Sequence, residues 1–153
     1  MSSINICKII NDTIKLNFRF TACDINFGGK VMVVGDNDGY VTLLTTEGKI
    51  TREFKAAKAG AKINHCEFSK SAPWLLVTST GDKCVKLWDI RKIDKKAEPL
   101  EVLQQSKPIN SACFSLTDGA RLLTTDQYDQ ITVYRYFQLV KKSFSFDDAF
   151  NFF

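Results

Sequence analysis

Two kinds of residue in this 153-residue chain have recognition chemistry: lysines just ahead of apolar runs, and an arginine just behind one. The segment "GKITREFKAAKAGAK" carries Lys49, Arg52, Lys55, Lys58 and Lys62 against a single acid, Glu53, and leads into Ile63. Lys107 takes the comparable place ahead of Ile109. Clustered ammonium groups suit phosphate oxygens, which give salt-dependent, sequence-independent affinity. The same pattern also describes a solvated lysine loop, the commoner fate of basic runs. In "KCVKLWDIRK" an alternating run ends at Trp88-Asp89 and passes into Arg91 and Lys92. Arg91 fits either a surface cation or a docking residue, since arginine is favoured at interfaces.

Other chemistries find little footing. Cys7, Cys23, Cys66, Cys84 and Cys113 are odd in number without a close pair, and with His65, the single histidine, they show no zinc-ligand spacing. No metal site and no cofactor are expected, and the thiols are expected to be reduced and mostly buried in an intracellular protein. Nucleophile-elbow, P-loop and paired-carboxylate motifs do not occur, so no catalytic residue and no small-molecule substrate are expected. Charged residues at 25% and hydrophobic ones at 44% are ordinary for one globular domain. A net charge of +4 permits a nucleic-acid partner without requiring one. No run of eighteen apolar residues occurs, so no membrane span is expected. The N-terminus has no compact apolar core with a cleavage site, so no secretion signal is expected either.

The elements that position these residues read as strands. "KVMVVGDNDGYVTLL", "APWLLVTSTGDKCVKLWDI" and "GARLLTTDQYDQITVYRY" each hold an apolar run, a polar turn and an alternating run. Val41, Val85 and Ile131 occupy one place, 44 and 46 residues apart, and Leu44, Trp88 and Tyr134 another. A further short strand, "FTACDINF", "INHCEFS" or "INSACFS", precedes each unit. A period in the forties with about four strands per unit and Trp-Asp at a strand end marks a propeller blade. The sequence predicts an all-β, partial WD-repeat β-propeller of about three blades over residues 18–137. Residues 1–17 form a non-matching N-terminal segment and 138–153 a divergent Phe-rich tail. Three blades leave open edges, so the chain is expected to be a piece of a longer protein or the product of a truncated gene.

Asp38-Gly39, Asp82-Lys83 and Asp129-Gln130 fall at hairpin turns, where the carboxylates are expected to bond nearby amides. Trp88 is expected between blades, its N–H supplied by a set containing Ser79 and Asp82. His65 is expected to be a core or interblade residue. Blade connectivity puts the crossover into each inner strand and the second-to-third-strand turn on one rim. Lys58, Lys62 and Lys107 belong there, and Arg91 belongs on the opposite rim.

"VVGDNDGYVTLL", "LLVTSTGDKCVKLWDIRK" and "PINSACFSLTDGARLLTTDQYDQITVYR" together resemble the DNA damage-binding protein 2 family, the small WD-repeat subunits of UV-damaged-DNA-binding complexes. "ACFSLTDGARLLTTDQ" is the most specific stretch, and the likeness covers about residues 18–136. The resemblance implies a seven-bladed ring with damaged duplex DNA on one rim and, on the other side, the large damage-binding adaptor subunit of a cullin-4 ubiquitin ligase. It implies a nuclear protein acting in nucleotide excision repair by binding. Trp88-Asp89-Ile90-Arg91 matches the family's adaptor-docking Trp-Asp-x-Arg motif, Lys62 matches its DNA-facing lysine, and Asp126 matches a structural aspartate. An aromatic that the family places near the DNA rim corresponds to Arg19. The family's DNA-inserting hairpin has no counterpart, and Phe137-Gln138-Leu139 lacks its histidine. A WD-repeat scaffold or substrate adaptor for chromatin or a ubiquitin ligase, without lesion specificity, is the alternative.

Overall fold

The computed structural model describes residues 19–93, 97–117, 119–135 and 142–145, and within them every regular element is a strand. β1 (Phe20–Ile25), β2 (Val31–Asp36), β3 (Tyr40–Thr45) and β4 (Ile50–Lys55) form the first sheet. β5 (Ile63–Phe68), β6 (Leu75–Thr80), β7 (Cys84–Asp89) and β8 (Glu101–Gln104) form the second. β9 (Ile109–Phe114), β10 (Arg121–Asp126), β11 (Gln130–Arg135) and β12 (Lys142–Ser145) form the third. Each sheet is an antiparallel meander in chain order, the arrangement of a propeller blade. The expected all-β partial propeller of three blades is the fold. Residues 1–17 and Phe137-Gln138-Leu139 lie outside the described residues.

One boundary differs from the sequence pattern. β12 pairs with β11 from Gln130↔Ser145 to Val133↔Lys142 and supplies the outer strand of the third sheet. It comes from the Phe-rich stretch beyond residue 137. Outer-strand pairing rests on backbone groups, so residue composition carries little sign of it.

The middle sheet is covered on both faces because its strands alternate. Leu76 and Trp88, cross-strand partners, turn toward Val33, Val41, Leu43 and Phe54 of the first sheet. Val77, Val85 and Leu87 turn the other way, onto Ala112, Phe114, Leu122 and Tyr134 of the third. Trp88 is buried and its ring centroid lies 4.8 Å from that of Phe54. Its Nε1–H donates to Thr78 Oγ1 at 3.0 Å. The expected Ser79 and Asp82 set does not supply that bond: Ser79 Oγ instead donates to the Asn110 carbonyl at 3.4 Å, across to the third sheet's inner strand. Thr78 stands two residues along β6 from Leu76, the direct partner of Trp88, so it shares the indole's face and lies diagonally within its reach.

The β2–β3, β6–β7 and β10–β11 turns carry a left-handed residue at the same repeat place: Gly39 (φ 83°), Lys83 (φ 67°) and Asp129 (φ 58°). The carboxylates that hold two of these turns stand earlier than Asp38 and Asp129. Asp36 Oδ1 accepts the Asp38 and Tyr40 N–H groups at 2.9 and 2.8 Å, and Asp126 Oδ1 accepts those of Tyr128 and Gln130 at 2.8 and 3.1 Å. In the middle turn the same place is Thr80, whose hydroxyl meets the Asp82 carboxylate and the Cys84 carbonyl. An Asx side chain reaches amides two and four residues on, so the first residue of the turn is the one that closes it.

Candidate nucleic-acid and partner-docking rims

The loops entering the inner strands and the turns between second and third strands interlock on one rim. The crossover from β4 to β5 lies against the β2–β3 turn, where the Ala56 and Ala57 N–H groups donate to the Gly39 carbonyl at 2.9 and 3.1 Å. A Cβ on Gly39 would stand 2.5 Å from the Ala61 carbonyl oxygen, so only glycine admits this approach. The far end of the crossover is tied to the next turn. Lys58 N–H donates to Asp82 Oδ2 at 2.9 Å, and Gly81 N–H donates to the Lys62 carbonyl at 2.9 Å. Burial opposes the Asp82 charge, but the Thr80 hydroxyl, the Lys58 amide and the Lys86 ammonium outweigh it and hold the carboxyl below the usual range. Lys58, Lys62 and Lys107 are all exposed on this rim, and the backbones of Lys58 and Lys62 are anchored by these bonds.

The structure gives the basic place ahead of the inner strands a repeated backbone bond. The residue just before each inner strand accepts an N–H from the neighbouring turn: Asn37 to Arg19, Gly81 to Lys62, Gln127 to Pro108, at 3.1, 2.9 and 3.1 Å. Arg19 and Lys62 fill two of these places and Lys107 adjoins the third. Two exposed tyrosines lie among the cations: Lys55 Nζ stands 4.2 Å over the Tyr40 ring and Lys107 Nζ 4.3 Å over Tyr128. Cations interleaved with aromatic faces suit a phosphate backbone beside bases or sugars. The doubled basic-aromatic pairing was hidden because Tyr40 and Tyr128 differ in repeat place: Tyr40 meets Lys55 as its cross-strand partner on β4, whereas Tyr128 meets Lys107 between two loops.

On the opposite rim Trp88-Asp89-Ile90-Arg91 divides into a buried part and a presented part. Trp88 and Asp89 are buried, and the Arg91 side chain is 58% exposed. Arg91 Nε–H and an Nη2–H donate to Asp89 Oδ1 and Oδ2, each at 2.9 Å, as a two-pronged fork. The guanidinium also lies 4.1 Å over the Trp74 ring. These Arg91 hydrogen bonds hold the Asp89 carboxyl below its usual range against the cost of burial. Three of the five guanidinium N–H donors remain for a partner, on a side chain whose position is already set. Arg52 reaches toward this rim from β4, its Nη1 donating to the Ile90 carbonyl at 2.6 Å.

A protein-family model described as "WD domain, G-beta repeat" matches residues 48–89. That unit begins with β4 and ends with β7, so one repeat in sequence spans two sheets in space and ties them together. DNA damage-binding protein 2 of Gallus gallus is 44% identical over 115 residues, covering 75% of this chain and 22% of that protein. DNA damage-binding protein 2 of Mus musculus is 40% identical over 130 residues, 85% of this chain and 29% of its own length. WD repeat-containing protein 76 of Xenopus laevis is 43% identical over 60 residues, 39% of this chain and 10% of that protein. The chain thus spans less than a third of the length of the curated relatives it matches. Three blade-like meanders and these relatives make the chain a partial WD-repeat propeller that resembles the DNA damage-binding protein 2 family over the stretch they share.

Proposed function

We propose that the chain binds damaged double-stranded DNA through its first rim and a ligase adaptor through its second, as part of a nuclear substrate receptor. The receptor would serve a cullin-4 ubiquitin ligase in nucleotide excision repair, and it would act by binding rather than catalysis. The observation that carries this reading is the separation of the two rims. Lys58, Lys62 and Lys107 stand exposed on backbone-anchored loops at one end of the strands, and Arg91 is presented at the other end. A protein so built can hold a duplex and a protein partner at once without the two colliding. Lys62 is assigned to the DNA backbone with Lys58 and Lys107 beside it. Arg91, set by Asp89 and lying over the Trp74 ring, is assigned to the large damage-binding adaptor subunit, with Trp88 and Asp89 as the buried part of the docking motif. Ser79, Asp82 and Asp126 are assigned to the framework.

Fluorescence anisotropy with UV-lesion and intact duplexes over a salt series tests this. Lys62→Glu should weaken binding to the lesion duplex and lower the magnitude of its salt slope by about 1 or more. Unchanged affinity and slope would remove Lys62 from the interface. A WD-repeat scaffold or adaptor without lesion specificity is the second reading, and the likeness to WD repeat-containing protein 76 supports its WD-repeat part. Equal affinity for lesion and intact duplexes would favour it.

A further inference from the structure

The inner strands carry a cluster that neither rim uses. His65 and Glu67 stand on β5 and Cys113 on β9, and one ligand atom from each lies within 4.8 Å of the other two. Residues two apart on a strand share a face, which joins His65 to Glu67. Cys113 sits 46 residues beyond Glu67, the same repeat place one blade later. Blade-to-blade packing therefore assembles the group.

Each side chain is half-buried and held by a second contact that leaves a ligand atom available. His65 Nδ1 lies 3.0 Å from the Ala112 carbonyl oxygen, an acceptor that fixes the proton on Nδ1 and leaves the Nε2 lone pair. Glu67 Oε1 accepts the Phe114 N–H at 3.0 Å, which leaves Oε2. Cys113 Sγ lies 3.3 Å from Ser111 Oγ. Such outer contacts orient metal-binding imidazole and carboxylate groups. A mixed nitrogen, oxygen and sulfur set with three protein ligands suits zinc. With metal–ligand bonds of about 2.0–2.3 Å, tetrahedral ligand–ligand edges are about 3.3–3.8 Å. Side-chain shifts of about 1 Å close the cluster to that size.

We propose that His65, Glu67 and Cys113 bind one zinc ion between the inner strands of the second and third sheets, with a fourth position for water. As the Sγ–zinc bond forms, the Cys113 S–H proton passes to solvent. Burial, with the Glu67 charge adding to it, pushes the free thiol up, so it carries that proton before the metal arrives. The ion would tie two blades together across their inner edges.

The test is titration of the reduced, metal-free 153-residue chain with Zn2+ and with Co2+. One equivalent of Zn2+ should bind, and Co2+ should give a thiolate-to-cobalt charge-transfer band. Cys113→Ser should abolish the band and weaken Zn2+ binding by about tenfold or more. Glu67→Gln retains an acceptor for Phe114, so it should weaken binding but keep the band. Cys23→Ser, at the thiol on β1, should change neither. Circular dichroism checks each variant's fold, and if Cys113→Ser unfolds, alkylation of Cys113 in the parent chain decides instead: Zn2+ should slow it. Absence of one-equivalent binding, a cobalt complex without a thiolate band, a band that survives Cys113→Ser, or alkylation that Zn2+ leaves unchanged would overturn the assignment.

Discussion

The second and third sheets carry the same repeat in different surroundings. Val77, Val85 and Leu87 are sealed against the third sheet, Leu87 at 1% exposure. Their counterparts one repeat on are Leu123, Ile131 and Val133. Leu123 is 40% exposed and the other two are half-buried, with no sheet against them among the described residues. Residue type is therefore a poor guide to stabilisation here. An apolar side chain contributes in proportion to the surface its neighbour removes from water, and in a stack of sheets that neighbour is the next blade.

Matched truncations would break or sharpen this contrast. Leu87→Ala should cost about 2–5 kcal/mol in urea unfolding, the usual loss for a filled core site. Leu123→Ala should cost less than about 1 kcal/mol, the scale of a substitution with few packed partners. Equal losses would mean that the outward face of the third sheet is covered after all. The next largest effect concerns the turns of the first and third sheets. Gly39→Ala forces a Cβ against the Ala61 carbonyl and the Ala57 side chain at positive φ, so it should cost more than about 1 kcal/mol. Asp129→Gly, at φ 58° in the third sheet's turn, relieves a left-handed non-glycine and should stay within about 1 kcal/mol of the parent. Similar penalties at both turns would mean that conformation, and not the packed crossover, sets the cost at Gly39.

The smallest effect distinguishes the two rims. The first is held by many backbone bonds between loops, whereas the hydrogen bonds that hold the Arg91 guanidinium on the second all go to one carboxylate. Because Arg91 depresses the Asp89 carboxyl in the folded protein, the ionised Asp89 contributes stability at neutral pH. That contribution fades as pH falls below the unfolded carboxyl's value and is lost through the lower folded one. Asp89→Asn should flatten the acid limb of a stability–pH curve measured by denaturation, with a small change at neutral pH because the partner is largely in solvent. An acid limb identical to the parent's would show that Arg91 is positioned by Trp74 alone.

The blades were legible because buried strands must alternate, and that alternation recurs at 44 and 46 residues. The common rim of Lys58, Lys62 and Lys107 was legible from connectivity, since a meander sends successive turns to opposite ends. β12 was not, because an outer strand pairs through its backbone and needs little apolar pattern. Nor was the bond from Trp88 to Thr78, which depends on register across β6 and β7. Asp36 and Asp126 were visible as residues, but which acid closes a turn depends on where the chain reverses.

By itself, then, the sequence determined the period, the strands of the repeating pattern, the WD-repeat class and the sign of charge on each loop. Local propensity and hydrophobic alternation act over a few residues and leave their mark in order along the chain. The tertiary structure alone decided which apolar faces are covered. It also gave Arg19 and Lys62 matching places ahead of their inner strands and set tyrosines under lysines. His65 and Glu67 meet Cys113 only because two inner strands pack side by side. The contact of His65 and Glu67 with Cys113 joins residues about a repeat apart and the tyrosine–lysine contacts join residues within less than one, and no spacing rule along one strand or turn encodes them.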